Sequence, residues 1–389
     1  MKTATTLSIE TKHPTAVAVG FFDGVHLGHR AVIESALAEQ RNGLECCVFS
    51  FAMNGSAPAA KRGARLLQSI TLKKQTLEEM GADWLLIPHF SNFMGLTPEQ
   101  FAVDVLLRGL HARVVCCGYD YRFGKGACAG AAELAGLLAP YGVAVRQIGA
   151  VLDGGRPVSS TRIRAALEAG RLEEANRLLG RPFAIDWTVE HGRKLGHKLG
   201  FPTANQHIGE EFARPRFGVY ASCVETGGRV YHGVTNVGMR PTVADRPGGP
   251  VEQPLTETWI PDFTGDLYGE EVPVSLVKFL RPERKFSSLE ELKERIRRDG
   301  DEARTAVLGS GRETGIRAVL FDFDDTLQNR PAAFKKYTDF FLEKYFPALS
   351  AEQKEQRAEE MLQRNNGGYV AYLEYFSSLF ESWKWDDAP

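Results

Sequence analysis

The sequence predicts an α/β domain built on a parallel sheet, then an antiparallel β-barrel or sandwich, then an incomplete α/β segment at the carboxyl end. Three observations carry this reading. Between residues 15 and 150, short apolar runs alternate five times with helical patterns, which is how a parallel sheet with crossover helices reads. Residues 183 to 281 hold short β-rich runs broken by Gly and Pro, as antiparallel strands are. A length of 389 residues, at ~150 residues per domain, calls for two to three domains. The boundaries expected are 1–160 for the first domain, 161–182 for a helical connector, 183–308 for the second domain, 309–315 for a linker and 316–389 for a partial third.

The five apolar runs are Ala16–Val19, Cys46–Phe51, Trp84–Ile87, Val114–Cys117 and Val143–Ile148, short and continuous enough for buried strands. Among the intervening helices the clearest start is Thr97-Pro98-Glu99-Gln100, with an N-cap, Pro at the first helical position and a capping-box Gln. Arg162 to Arg177 is helical and polar enough to connect the domains. In the second domain Gly227-Gly228 separates Cys223–Thr226 from Arg229–Tyr231 as a two-residue hairpin turn would. Ser288-Leu289-Glu290-Glu291 is a second capping box, and Leu289, Leu292 and Ile296 share one face of the helix it opens. Gly309 to Gly315 is rich in Gly and Ser, as a flexible linker is.

Composition narrows the function. With 43% hydrophobic and 25% charged residues and a net charge of −2, the chain carries no bulk charge suited to a nucleic acid. Met1 to His13 lacks an apolar h-region, and nowhere do ~18 apolar residues run without a charge, so no membrane association and a cytoplasmic location are expected. Six cysteines occur with no C-x-x-C spacing, and the adjacent pairs Cys46/Cys47 and Cys116/Cys117 point to opposite faces of a strand. They read as reduced core thiols.

Chemistry concentrates in three loops. Directly after the first run stands Gly20-Phe21-Phe22-Asp23-Gly24-Val25-His26-Leu27-Gly28-His29. Its glycines permit close backbone approach, the helix that follows offers free N–H groups to phosphate, and two histidines three apart can donate to one anion. The fourth run leads into Gly118-Tyr119-Asp120-Tyr121-Arg122-Phe123-Gly124-Lys125-Gly126, a second glycine-flanked loop carrying two cations. In an open sheet winding outward from its first strand, strands one and four are neighbours, so both loops border one crevice. Ser159-Ser160-Thr161-Arg162-Ile163-Arg164 adds hydroxyls and guanidinium groups at a helix start. The second domain holds Gly192-Arg193-Lys194-Leu195-Gly196-His197-Lys198-Leu199-Gly200-Phe201-Pro202-Thr203-Ala204-Asn205. On an extended segment Thr203 and Asn205 face the same way, as neutral oxygen ligands for a Mg²⁺ otherwise held by water and phosphate.

These motifs, with G-V-T-N-x-G-x-R-P-T and E-T-x-I-x-D-F-x-x-D-L-Y-G further on, resemble in order those of bacterial bifunctional riboflavin kinase/FAD synthetases over residues 10 to 305. The resemblance implies a Rossmann-like nucleotidyltransferase followed by a six-stranded riboflavin kinase barrel, acting on riboflavin, FMN and ATP with Mg²⁺. It implies that Glu257 is the general base of the kinase, that Thr203 and Asn205 place the metal, and that Gly196, Lys198 and Gly200 cover the phosphates. In the other half, His26 and His29 would stabilise the transferring and leaving phosphates as FMN becomes FAD. There Gly20, Phe22, Asp23, Gly28, Asp120, Arg122, Ser160, Thr161 and Arg164 would hold the nucleotide.

Where that family carries Pro-His-Pro after its second strand, this chain reads Phe51-Ala52-Met53-Asn54-Gly55-Ser56. A second reading therefore stays open, a riboflavin kinase alone behind a degenerate nucleotide-binding domain. Finally, Ala318-Val319-Leu320-Phe321-Asp322-Phe323-Asp324-Asp325-Thr326 resembles the first motif of haloacid dehalogenase-type phosphatases, which implies a nucleophilic Asp322, an acid/base Asp324 and Mg²⁺ between them. Too few residues follow for the rest of such a fold, so an incomplete, inactive module is expected. Protein partners are not legible.

Overall fold

A computed structural model describes the chain outside residues 54–57, 59–60, 62, 193–199, 240–253, 310–337, 340, 344–345, 347–348 and 365–389. The chain forms two units, Met1–Thr314 and Gly315–Pro389.

The first unit opens with eight strands: β1 (Lys2–Ala4), β2 (Thr15–Val19), β3 (Glu45–Phe49), β4 (Trp84–Leu86), β5 (Ala112–Gly118), β6 (Arg122–Phe123), β7 (Ala129–Gly130) and β8 (Ala144–Ile148). All but the β6–β7 pair join one parallel sheet in the order β1-β4-β3-β2-β5-β8. The first and fourth apolar runs, now β2 and β5, lie side by side with Val19 opposite Cys117. Successive β2 residues serve opposite faces. Ala16 and Ala18 pack under α1 (Leu27–Leu37) with Val32, Ile33, Val48 and Cys116. Val17 and Val19 pack under α3 (Ala131–Leu138) and the π-helical segment Gln100–Gly109, while α2 (Ile70–Glu79) follows the loop after β3. The Thr97 capping box forms in both directions, Gln100 N–H donating to Thr97 Oγ1 at 3.1 Å and Thr97 N–H to Gln100 Oε1 at 2.9 Å.

Three details differ from the sequence reading. β1 is a three-residue edge strand without a sequence signal. β8 is an edge strand with largely exposed residues rather than a buried one. Cys128 is exposed, whereas the other five cysteines are buried.

A short hairpin of β9 (Leu152–Asp153) and β10 (Arg156–Pro157) precedes α4 (Ser160–Glu168) and α5 (Leu172–Leu179). Then come β11 (Phe183–Ile185), β12 (Thr203–His207), β13 (Gly218–Thr226), β14 (Arg229–Met239), β15 (Pro254–Trp259) and β16 (Val274–Arg281). They form an antiparallel six-stranded sheet, β11-β16-β13-β14-β15-β12, curled as a half-barrel. Thr226 pairs with Arg229 across Gly227 and Gly228, whose φ of 56° and 71° are what a tight primed hairpin turn requires. One face is closed by α6 (Leu289–Gly309), where Ala303 meets Val219, Ala221 and Val234. Leu289, the first residue of that helix, is 57% exposed. Its capping box is also one-sided: Ser288 Oγ accepts Glu291 N–H, but the Glu291 carboxylate reaches back to Ser287.

The other face of the curled sheet does not end at the sheet. Tyr220, Val224, Val274 and Leu276 share a core with Ile163, Leu167, Leu172, Leu178 and Leu179 of α4 and α5, and with Leu67 from the loop before α2. That loop is a strap. Leu66 exchanges main-chain hydrogen bonds with Glu211 and Ala213, and Ser69 Oγ donates to Asp186 at the end of β11.

In the second unit, α7 (Ala351–Arg364) starts at a two-way box between Ser350 and Gln353, and Leu342 and Met361 are buried. The Asp322 and Asp324 motif lies outside the described residues.

The shared core sets an expected outcome. Leu178→Ala, at a fully buried site, should cost about 2–5 kcal/mol, and in urea the transition should stay single when followed by Trp84 near the first sheet and Trp259 on the second. Two separate transitions, with the Trp84 signal unchanged, would contradict it.

Candidate functional site

The turn after β2 is held in an unusual backbone. Phe22, Gly24 and Val25 have φ of 51°, 86° and 38°, and the two non-glycine residues there must be held by their surroundings. Phe22 is 2% exposed and sets its ring edge against His29, with centroids 5.4 Å apart. Asp23 is 4% exposed. Its Oδ1 accepts Leu67 N–H at 2.8 Å, its Oδ2 pairs with Arg164 Nη1 at 2.9 Å, and its carbonyl accepts Ser160 Oγ–H at 2.9 Å. Burial pushes this carboxyl up, and the Leu67 N–H, Lys73 and Arg164 pull it back. Phe22 and Asp23 thus turn inward and brace the turn, while Ser160 and Arg164 are tied to it.

The histidines stand where the turn becomes α1. His26 is the N-cap, its Nδ1 accepting His29 N–H at 3.3 Å, which leaves its proton on Nε2. The two rings stack 3.6 Å apart at 16°. Burial, with Lys61 nearby, lowers His26 to about 4, and burial with the facing His26 lowers His29 well below its ordinary value. Both are therefore neutral donors near pH 7, at the positive end of a helix. His29 Nδ1 is buried without a partner. Gly28 is needed because a Cβ there would lie 3.2 Å from the His26 ring, and Gly20 because a Cβ would press within 2.9 Å of the Phe22 ring.

Across the edge, Asp120 and Arg122 are exposed on the loop after β5, the strand beside β2. Thr161 Oγ1 receives Arg164 Nη2 at 3.3 Å. Arg162 is spent otherwise, bound to Asp153 and Glu174. Sequence reasoning missed three neighbours. Lys73 Nζ donates to the Phe21 carbonyl and to Ser50 Oγ, and Arg181 donates to the Gly24 carbonyl. The third is a shelf of half-buried rings beside the turn, Phe21, Phe51, Phe90 and Phe93, with successive centroids 4.8, 5.3 and 5.3 Å apart. Only the aromatic spacing around residues 90 to 93 hinted at it.

On the curled sheet, register assembles a second group. Glu257 lies opposite Asn205 on one side and Asn236 on the other, so the three form one row on one face of β12, β15 and β14. Thr203 is two residues from Asn205 on that face, and the Asn205 amide donates to the Thr203 carbonyl at 3.0 Å. Gly192 has room for no side chain, since its Cβ would reach within 2.7 Å of the Asn205 amide. Beneath the row, Ser222, Thr235 and Thr258 form a buried hydroxyl ladder. Asn236, whose Oδ1 is buried and unpartnered, was not foreseen. Gly200 is described, whereas Gly196 and Lys198 lie outside the described residues. The side-chain oxygens of Thr203 and Asn205, beside the Glu257 carboxylate, suit Mg²⁺. No cluster of three or more His, Cys, Asp or Glu that could hold a metal occurs among the described residues.

Comparison with known proteins covers both the parallel-sheet part and the curled-sheet part of the first unit. A family model described as FAD synthetase matches residues 8–162, and one described as riboflavin kinase matches 179–307. Neither reaches the Asp322 motif, and the phosphatase-like reading of residues 316–389 gains no support. A bifunctional riboflavin kinase/FMN adenylyltransferase of Listeria monocytogenes is 36% identical over 294 residues, 74% of this chain and 91% of that protein. One of Escherichia coli K12 is 37% identical over 298 residues, 75% of this chain and 93% of that protein. A crystal structure described as a macrolide-efflux protein of Streptococcus pneumoniae matches with a TM-score of 0.65 at 29% identity, covering 76% of this chain and 95% of that one. The likeness is one of fold, and no helix among the described residues is long and apolar enough to cross a membrane. With both family models matched in order, and relatives aligned over more than nine-tenths of their own length, the chain belongs to the bifunctional riboflavin kinase/FMN adenylyltransferase family.

Proposed function

We propose that the chain phosphorylates riboflavin to FMN and then adenylylates FMN to FAD, using ATP for each step. The observation that carries this is the pair of separate site geometries in one chain: stacked, neutral histidines at a helix start, and a carboxylate between two asparagines on a curled sheet. The kinase-only alternative is not favoured, since both family models match.

In the kinase half, the riboflavin 5′-hydroxyl oxygen attacks the γ-phosphorus of ATP, the bond from that phosphorus to the β–γ bridging oxygen breaks, and ADP leaves. Glu257 takes the hydroxyl proton. Thr203 and Asn205 would hold Mg²⁺, which when bound neutralises phosphate charge. Gly196, Lys198 and Gly200 would cover the phosphates. Asn236, in the same row, is placed to orient the carboxylate.

In the adenylyltransferase half, an FMN phosphate oxygen attacks the α-phosphorus and pyrophosphate leaves. The His26 Nε2–H and the His29 ring stabilise the growing negative charge as neutral donors. Gly20 and Gly28 let the main chain approach the phosphates, Phe22 and Asp23 support that turn, and Asp120, Arg122, Ser160, Thr161 and Arg164 hold the nucleotide. No protein nucleophile is needed, because the chemistry is positioning and charge neutralisation. The half-buried shelf of Phe21, Phe51, Phe90 and Phe93 suits the flat isoalloxazine ring. We further infer a cytoplasmic location, in keeping with ATP as co-substrate and five buried cysteines that form no disulfide. On domain limits, the matched spans support a division near 162–179.

Incubating the protein with riboflavin, Mg²⁺ and ATP, then separating the flavins by chromatography, should yield FMN and then FAD; protein that yields no FMN sinks the reading. Glu257→Ala should lower FMN formation by ~10²–10⁴-fold and spare FAD formation from supplied FMN. His29→Ala should do the reverse, by ~10²–10³-fold. A folded variant that loses both activities would show that the sites are not independent.

The lowered His26 carries a pH consequence. Between about 4 and its ordinary 6.5 the unfolded chain binds the proton that the folded one refuses, so stability rises with pH across that window and is lost as pH falls through it. The contribution is on the order of 3 kcal/mol. Urea unfolding from pH 7 to pH 4 should therefore fall less steeply for His26→Gln than for the parent, and equal slopes would refute the assignment.

A further inference from the structure

α2 carries two adjacent lysines with opposite fates. Lys74 is exposed, whereas Lys73 stands with Leu72, Thr76 and Leu77 on the inward face and is 5% exposed. An ammonium is buried at such cost only where partners receive it. Its Nζ donates to the Phe21 carbonyl at 2.8 Å and to Ser50 Oγ at 3.1 Å. Ser50 Oγ, itself fully buried at the end of β3, also donates to the Phe21 carbonyl at 2.8 Å. The same ammonium lies 4.8 Å from the centroid of the Phe21 ring, which packs on Phe51. One cation thus grips both the main chain and the ring of the residue that joins β2 to the left-handed turn at Phe22.

We infer that Lys73 is a positioning residue for adenylyl transfer, its ammonium locking Phe21 and so fixing the His26/His29 turn relative to the aromatic shelf. This rests on the reading of that turn as the adenylyl-transfer site. The turn has reason to need such a hold. Two non-glycine residues in it, Phe22 and Val25, have positive φ, a conformation that reverts unless its surroundings over-determine it. Nothing else described donates to the Phe21 carbonyl apart from Ser50, which has no charge to lend.

Charged groups from every side fix when the hold is present. From the turn, the Asp23 carboxylate attracts the ammonium, and His29, neutral, sits near it. Lys61 stands over the same Phe21 ring at 5.9 Å, and Arg164 of α4 is engaged by Asp23. Burial dominates and brings Lys73 down to about 8, with Asp23 opposing. The cation is therefore present at neutral pH and lost as pH rises through about 8.

The test compares the full chain with Lys73→Met and Lys73→Arg, measuring FAD formation from FMN and FMN formation from riboflavin across pH ~6 to ~9.5. In the parent, kcat for FAD formation should fall above pH ~8 while FMN formation lacks that limb. Lys73→Met should cut kcat for FAD formation at neutral pH by ~30–100-fold and lose the limb, with KM for ATP within about threefold and FMN formation within about twofold. Lys73→Arg, which stays charged, should restore most of the turnover and carry the limb beyond the range. Retained FMN formation shows that the variants fold. Parental turnover in Lys73→Met, a limb that survives in it, or equal loss of both activities would overturn the inference. A parent that makes no FAD would overturn the reading beneath it, whereas a parent and Lys73→Met that make FAD equally would overturn the role of Lys73 alone.

Discussion

One buried carboxylate organises the first unit. Asp23 takes the Leu67 N–H on one oxygen and the Arg164 guanidinium on the other, while its own carbonyl holds Ser160. A charge removed from water at this depth is tolerable only with both partners in place, and removing either leaves an uncompensated buried charge. The three partners come from the strap before α2 and the start of α4, elements far apart in sequence. Through Leu66 and Ser69 that strap is in turn tied to Glu211 and Ala213, between β12 and β13, and to Asp186 just after β11. The histidine turn and the curled sheet are thereby parts of one mechanical frame, even though their chemistry is separate.

The frame also explains how a nearly neutral protein handles polyanions. Several arginines are committed to structure: Arg162 and Arg177 hold Asp153, drawn down to about 2 by Arg177 first and then Arg162, and Arg281 and Arg295 hold the fully buried Asp299. At the histidine turn itself the donors are instead neutral, backbone N–H groups at a helix start and two imidazoles kept uncharged by burial. Such donors give orientation without the strong, indiscriminate attraction of a basic surface, which suits the proposed release of pyrophosphate there.

Local physics was the legible part. The buried runs, the Gly227-Gly228 turn and the Thr97 box each depend on residues within a few positions, and the neighbouring places of β2 and β5 follow from winding rules. The histidine motif and the separate motifs that hold Asn205 and Glu257 were legible, because each needs a fixed backbone as well as fixed side chains, whereas the pairing of those two residues appears only in the strand register. Lys73, Arg181 and Asn236 were not, since their importance arises from burial imposed by distant segments. Lys73 and Lys74 read alike in sequence, and only the packing of α2 separates them. β1 escaped because three edge residues carry no periodicity, and Leu289 was misplaced because a helical stripe says nothing about where along its length contact begins.

The adjacent cysteines, unremarkable as packing, give the first unit a chemical character. Cys46, Cys47, Cys116 and Cys117 sit in the two central layers, and burial raises every one of their thiols, Cys46 to about 12 and Cys117 to about 11. A thiol held that far from its thiolate is a poor nucleophile and a poor target for peroxide. A protein whose product is a redox cofactor thus keeps its own sheet sulfur out of redox chemistry. Oxidants and alkylating agents are left to meet Cys128, which stands outside that sheet on the loop beside the crevice.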